Sequence, residues 1–167
     1  TLLCQQTAHA LGFLKLESDY KIQAEQIRNA FIQEFLSPSG SLNRVHTQTS
    51  YALILYFELH LPEQKAQLCK EFYATLQKYN MHLSTGFIGT RFLLPALCKC
   101  QMSKEAYDIF LSEDYPGWLH EVKLGATSIW ERWDSLDKNG HISPTDMNSL
   151  NHYAYGCVAG WMYEYIC

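Results

Sequence analysis

From Leu2 to Ile166 the apolar residues of this chain return every third or fourth position, and no stretch alternates apolar with polar residues for long enough to make a strand. Chains patterned in this way bury their apolar stripes by packing helix on helix, so an all-α fold is expected. Leu2, Leu3, Ala10, Leu11 and Leu14 open the pattern at near-helical spacing. Ser18-Asp19 offers an N-cap and an acidic first turn for a helix through Leu36, which Ser37-Pro38-Ser39-Gly40 ends. A third helix covers Thr49 to His60, and Pro62, at a first-turn position, begins a fourth that runs towards Asn80.

Past Asn80 the pattern alternates loops with helices. Ser84-Thr85-Gly86 and Gly89 flank Phe87-Ile88, a helix follows over Thr90 to Cys100, and Ser103 caps another reaching Ser112. Residues Tyr115 to Thr127 read as a loop, Trp130 to Trp133 as a short helix or extended turn, and Asp137 to Asp146 as a polar loop with a tight turn at Asn139-Gly140. Met147 to Ile166 reads as one long apolar helix. Paired up-and-down helices suit a closed ring of hairpins or an open repeat array, and the lack of a fixed period of about 34 or 40 residues argues against the array.

At 167 residues one domain is the default, long enough to bury a sizeable core. Charged residues make up 18% of the chain, below the average for soluble domains, as a piece with a large buried interface would show. The formal net charge is −4 and no Lys/Arg block is present, which argues against a nucleic-acid partner. No apolar run is long enough to span a membrane. The six cysteines, Cys4, Cys69, Cys98, Cys100, Cys157 and Cys167, suggest no framework. Most fall at apolar helix positions, where a free thiol behaves as a small hydrophobe, and Cys98-Lys99-Cys100 lacks the spacing of a zinc pair. Free thiols, no metal and a reducing, cytoplasmic setting are the expectation.

The chemistry concentrates in Gly125-Ala126-Thr127-Ser128-Ile129-Trp130-Glu131-Arg132-Trp133-Asp134. One carboxylate stands between two indoles and beside a guanidinium. An indole face packs on the C–H face of a pyranose, and a carboxylate beside it accepts hydroxyl hydrogen bonds or takes a proton from water. Downstream, Ser149-Leu150-Asn151-His152-Tyr153-Ala154-Tyr155-Gly156 forms a second polar and aromatic cluster.

These two blocks, preceded by Thr85-Gly86-Phe87-Ile88-Gly89-Thr90 and Tyr115-Pro116-Gly117-Trp118-Leu119, resemble the catalytic domain of bacterial α-L-rhamnosidases in order and spacing across residues 81–165. Weaker agreement at Thr47-Gln48-Thr49-Ser50-Tyr51-Ala52-Leu53 extends the resemblance upstream. The resemblance implies an inverting glycoside hydrolase built as an (α/α) toroid of six helical hairpins. It puts the general base on Glu131 and a sugar contact on His152, with a rhamnose-containing glycoside as substrate and no cofactor.

The family's general acid and other sugar-binding carboxylates lie in an Asp and Arg-Glu motif followed by Gly-Trp-Thr-Gly-Asp, and no such motif occurs here. Inverting hydrolysis needs two carboxyl groups about 6.5–9.5 Å apart, and this chain supplies one. Residues 1–167 are therefore expected to be a single helical domain, a fragment carrying the C-terminal half of the catalytic toroid. Alone it should be inactive. Faces that would meet the missing hairpins should be left open, favouring self-association.

Each candidate also has a plainer reading. Glu131 could be a structural acid, and His152 a satisfied core histidine. Trp118, Trp130 and Trp133 are candidate sugar-platform residues, with Tyr115 beside them, yet a Trp after Tyr-Pro-Gly also serves to anchor a loop on the core. Ser135, Asp137, Asn139, Gly140, Ile142 and Asp146 mimic a calcium-binding loop, but Ser replaces its first carboxylate, Asp its last, and Pro144 intrudes, so a solvated loop is expected. Against the family pattern, Ser128 keeps a hydroxyl where Thr is usual, Cys157 replaces a small residue, and Gly160 weakens the last helix by about 1 kcal/mol relative to Ala. The competing functions are a non-catalytic helical interaction module and a toroid enzyme acting on another sugar.

Overall fold

In a computed structural model, which describes residues 1–137 and 139–166, the centre of the fold is a short helix that is apolar on nearly every side. This is α3 (Gln48–Tyr56), and Tyr51, Ala52, Ile54 and Leu55 on it are all buried. Its start is fixed locally: Thr47 Oγ1 accepts from the Ser50 N–H at 3.1 Å, and Ser50 Oγ accepts from the Thr47 N–H at 3.0 Å. On one side α3 packs against α4 (Lys65–Lys78), which follows a 3₁₀ turn at Pro62–Gln64. Leu68, Phe72 and Leu76 of α4, four residues apart, are fully buried and contribute about 1.5–3 kcal/mol each.

On its other side α3 packs against α5 (Phe87–Lys99), which in turn carries α6 (Ser103–Phe110). The crossing of α3 and α5 is tight: a Cβ placed on Gly89 would collide with Thr49 Oγ1 and Thr85 Cγ2. Later in the chain, α7 (Trp118–Lys123), a 3₁₀ turn at Ala154–Cys157 and α8 (Val158–Tyr165) close the C-terminal side, and both the 3₁₀ turn and α8 pack on α5. Among the described residues no strand forms; isolated bridges at Leu36–Leu42 and Leu136–Ile142 close short loops. The fold is all-α, and none of its described helices is long and apolar enough to cross a membrane.

The first hairpin stands apart. Helix α1 (Leu2–Ala10) packs on α2 (Leu14–Phe35), and α2 buries none of its 22 residues. Leu14, Leu16, Ile22 and Ile27 stay between 46 and 75% exposed.

Four expectations need correction. Helix α2 starts at Leu14, with Ser18-Asp19 inside it, because the positive φ of Gly12 (73°) turns the chain out of α1 and straight into the next helix. The stretch Tyr115–Thr127 holds α7, held by burial of Trp118 and the bond from its indole N–H to the Tyr155 carbonyl rather than by any capping side chain. The last helix is shorter than expected, since the backbone of residues 149–152 is committed to partners in residues 128–131 and is not free to pair along a helix. It does run through Gly160, where a Cβ would meet nothing within 4 Å.

The cysteines are the fourth correction. Cys69 on α4 and Cys100 at the end of α5 form a disulfide, with Cα atoms 5.8 Å apart. Helical periodicity reads each Cys as a lone hydrophobe and is blind to which helices become neighbours. Cys4, Cys98 and Cys157 are free, and Cys167 lies outside the described residues. With Cys69 and Cys100 paired, the cysteines no longer favour a reducing, cytoplasmic setting.

Candidate active site

The two polar and aromatic clusters meet through their backbones. The His152 N–H donates to the Ile129 carbonyl at 2.8 Å, and the Glu131 N–H donates to the Ser149 carbonyl at 2.8 Å. Ser128 Oγ adds a bond to the Leu150 carbonyl at 2.6 Å. The Ser149 N–H completes the set by donating to Glu131 Oε2 at 2.8 Å. A half-buried carboxylate is thus held by an N–H group that cannot rotate away, which is the kind of positioning a reacting group needs.

Glu131 lines an open cleft of about 490 Å³ together with Arg132, Trp133 and Asp134, the Leu83–Phe87 segment, Tyr115, Pro116 and Tyr155. The floor is aromatic. Trp133 stacks on Tyr155 with ring centroids 3.9 Å apart and 11° between planes, and its indole N–H donates to the Thr85 carbonyl at 3.3 Å. Trp118 meets Trp133 edge-on at 5.2 Å and donates its indole N–H to the Tyr155 carbonyl at 2.9 Å.

The charges in the cleft are unequal partners. Arg132 grips Asp134 with two bonds, Nε to Oδ1 at 2.9 Å and a terminal nitrogen to Oδ2 at 3.2 Å. This hydrogen bonding holds the Asp134 carboxyl below its ordinary range. Burial pushes the Tyr155 phenol up to about 12, so it remains a neutral hydroxyl. Behind the cleft, Glu121 is only 2% exposed, and burial raises its carboxyl to about 7 against the opposing pull of the Trp130 N–H, which donates to Oε2 at 3.4 Å.

Of the residues singled out in the sequence, Glu131, Trp133 and Tyr115 line the cleft. Trp118 and Trp130 do not; at 5% and 2% exposed they are packed behind it. His152 stands beside the cleft, its ring stacked on that of Phe87, a lining residue, at 5.0 Å and 12°. Its Nδ1 accepts the Ala154 N–H at 3.2 Å, so in the neutral ring the proton sits on Nε2 as a donor for a ligand. Sequence reasoning missed the Asp134–Arg132 fork and the buried carboxyl of Glu121. The first was legible as a carboxylate two residues from a guanidinium; the second had no signal, because a Glu on a helix ordinarily faces solvent. In the loop that mimics a calcium site, Asp137 Oδ1 is taken up by the N–H groups of Asn139 and His141.

The bacterial α-L-rhamnosidase six-hairpin glycosidase domain matches residues 1–166. An α-L-rhamnosidase of Formosa agariphila is 37% identical over 164 residues, which is 98% of this chain and 18% of that protein. The crystal structure of the native α-L-rhamnosidase from Aspergillus terreus superposes with a TM-score of 0.91 at 32% identity, over 97% of this chain and 19% of that one. The Streptomyces avermitilis α-L-rhamnosidase complexed with L-rhamnose superposes with a TM-score of 0.88 at 34% identity, over 95% of this chain and 15% of that one. The chain thus spans about a fifth or less of the length of the relatives it matches.

Proposed function

Because this chain belongs to the bacterial α-L-rhamnosidase six-hairpin glycosidase family, we propose that residues 1–167 form one helical unit of a larger catalytic toroid that hydrolyses terminal α-L-rhamnosides with inversion. Glu131 is its general base. It takes a proton from a water molecule as that water attacks the anomeric carbon, while the Ser149 N–H keeps the carboxylate aimed. His152 donates from Nε2 to a sugar hydroxyl, and Trp133 with Tyr155 underlies the site.

The general acid comes from outside this chain. Inversion needs a second, protonated carboxyl about 6.5–9.5 Å from the base. Asp134 is unsuited, being kept ionised by Arg132. Glu121 has a suitable proton affinity but lies too deeply buried to reach a substrate.

The observation that carries the reading is the Glu131 carboxylate at the cleft wall, fixed by a backbone N–H beside an aromatic floor. Its test is hydrolysis of an aryl α-L-rhamnoside by the full-length enzyme, wild type against Glu131→Gln. A loss of about 10²–10⁴-fold in kcat with the fold intact supports the assignment. Unchanged activity moves the base elsewhere, and an inactive wild type sends the search to other sugars or to a binding role.

A further inference from the structure

One wall of the cleft, Leu83 to Phe87, has no regular structure to hold it up to Gly86. From Leu83 to Gly86 no backbone N–H pairs with a backbone carbonyl among the described residues. The chain enters this wall through Asn80 and Met81 at φ 53° and 61°, a left-handed conformation that a methionine adopts only under constraint. Side chains from outside the segment supply that constraint. On the α5 side, Thr90 Oγ1 donates to the Gly86 carbonyl at 2.8 Å. On the α3 side the holder is Gln48, which is 1% exposed. Its Nε2 donates to the His82 carbonyl at 2.9 Å, and its Oε1 accepts the Ser84 N–H at 2.7 Å. One buried amide thus bridges the backbone on both sides of Leu83, with its donor and its acceptor each used.

We propose that Gln48 is a positioning residue for the sugar site: it is the strut that fixes the Leu83–Phe87 wall and, through the wall, the aromatic floor. This rests on the reading of the cleft as a rhamnoside site. The link to the floor runs through the residue after Ser84, since the Thr85 carbonyl accepts the Trp133 indole N–H at 3.3 Å and Trp133 stacks on Tyr155. At the far end of the wall, Phe87 is the ring on which His152 stacks at 5.0 Å. The wall therefore touches both Trp133 and His152, the residues assigned to hold the sugar. Glu131 is held separately, by its two bonds to the backbone of Ser149. Loss of the strut should accordingly weaken the grip on the sugar more than it slows the base.

Gln48→Met keeps the length of the side chain and removes both bonds. In the full-length enzyme, KM for an aryl α-L-rhamnoside should rise roughly tenfold or more in this variant, with kcat within a few-fold of wild type. The affinity for L-rhamnose, measured by calorimetry, should fall in parallel. Gln48→Glu, which keeps the shape and the acceptor for the Ser84 N–H but loses the donor to the His82 carbonyl, should raise KM as well, and it repeats the comparison where Gln48→Met does not fold. A lower melting temperature with KM and L-rhamnose affinity unchanged overturns the proposal, because Gln48 would then serve the core alone. Amide hydrogen exchange over residues 82–87 gives a readout that needs no turnover. The Ser84 amide should be protected in the wild type, although its side chain is exposed, and released in the variants. Equal exchange in wild type and variants also overturns the proposal. A wild type that neither hydrolyses the rhamnoside nor binds L-rhamnose counts against the functional reading alone, since the exchange comparison still decides whether Gln48 holds the wall.

Discussion

Glu131 and Ser149 are joined twice: the Ser149 N–H donates to the Glu131 carboxylate at 2.8 Å, and the Glu131 N–H donates to the Ser149 carbonyl at 2.8 Å. Both contacts use the backbone of Ser149. Its hydroxyl is occupied elsewhere, bonded to the Asn151 carbonyl at 3.1 Å and accepting the Asn151 N–H at 3.1 Å. Ser149→Ala should therefore leave kcat within a few-fold of wild type and cost about 1 kcal/mol in stability. Steady-state kinetics and urea unfolding of the full-length variant check this; a loss matching that of Glu131→Gln would show that the hydroxyl is needed.

Glu121 should make stability depend on pH in a direction opposite to that of most carboxylates. Its folded value of about 7 lies above the unfolded 4.5. The folded state thus holds the proton where the unfolded state has released it. Stability contributed by this group is full below pH 4.5, falls as pH rises towards 7, and is level above. The total is on the order of 3 kcal/mol. Urea midpoints across pH 4 to 8 should show this decline in wild type and not in Glu121→Gln, which should be the more stable protein above pH 7.

Reducing the Cys69–Cys100 disulfide opens a loop whose ends are 31 residues apart. On the chain-entropy account the loss is about 3–4 kcal/mol. Urea unfolding with and without reductant should show a shift of that size in wild type, and none in a Cys69→Ser, Cys100→Ser double variant.

Gly89→Ala should be destabilising although Ala is the better helix former. The added methyl meets Thr49 Oγ1 where α3 and α5 cross, and overpacking of this kind costs about 1–3 kcal/mol. Gly160→Ala, in open space on α8, should instead stabilise by up to about 1 kcal/mol. Melting curves of the two variants should move in opposite directions.

The isolated 167-residue chain should self-associate through the first hairpin, where Leu3, Leu14 and Ile27 are at least half exposed. Sedimentation velocity over a concentration series should show rising mass. A clean monomer at high concentration would mean that α1 and α2 need no partner.

Helical periodicity carries the fold class and most helix positions, because burial on one face leaves a mark every third or fourth residue. It fails where backbone bonds run across segments rather than along them. Met147–Ile166 has the composition of a helix throughout, yet Ser149 and His152 bond to Glu131 and Ile129, and nothing local announces that choice. The same limit hid the Cys69–Cys100 bond. At the site, Glu131 and Trp133 stand out because a charge set among indoles departs from ordinary composition. Trp118 and Trp130 looked equivalent and lie behind the cleft instead, since an indole fills a core as readily as it lines a surface.

The bonds tying residues 128–131 to 149–152 form a neck, and the described residues between them, 132–137 and 139–148, lie in a loop thrown out from it. Near the neck that loop carries Trp133, Asp134 and Ser135, with Asn148 Nδ2 bonded to the Ser135 carbonyl at 3.0 Å. Its tip, from Asn139 to Met147, is largely exposed. Since the neck closes without help from the tip, the tip is a place where sequence can be grafted, lengthened or replaced while the carboxylate stays where it is. A protein engineer has an entry point there through which none of the bonds holding the Glu131 carboxylate pass.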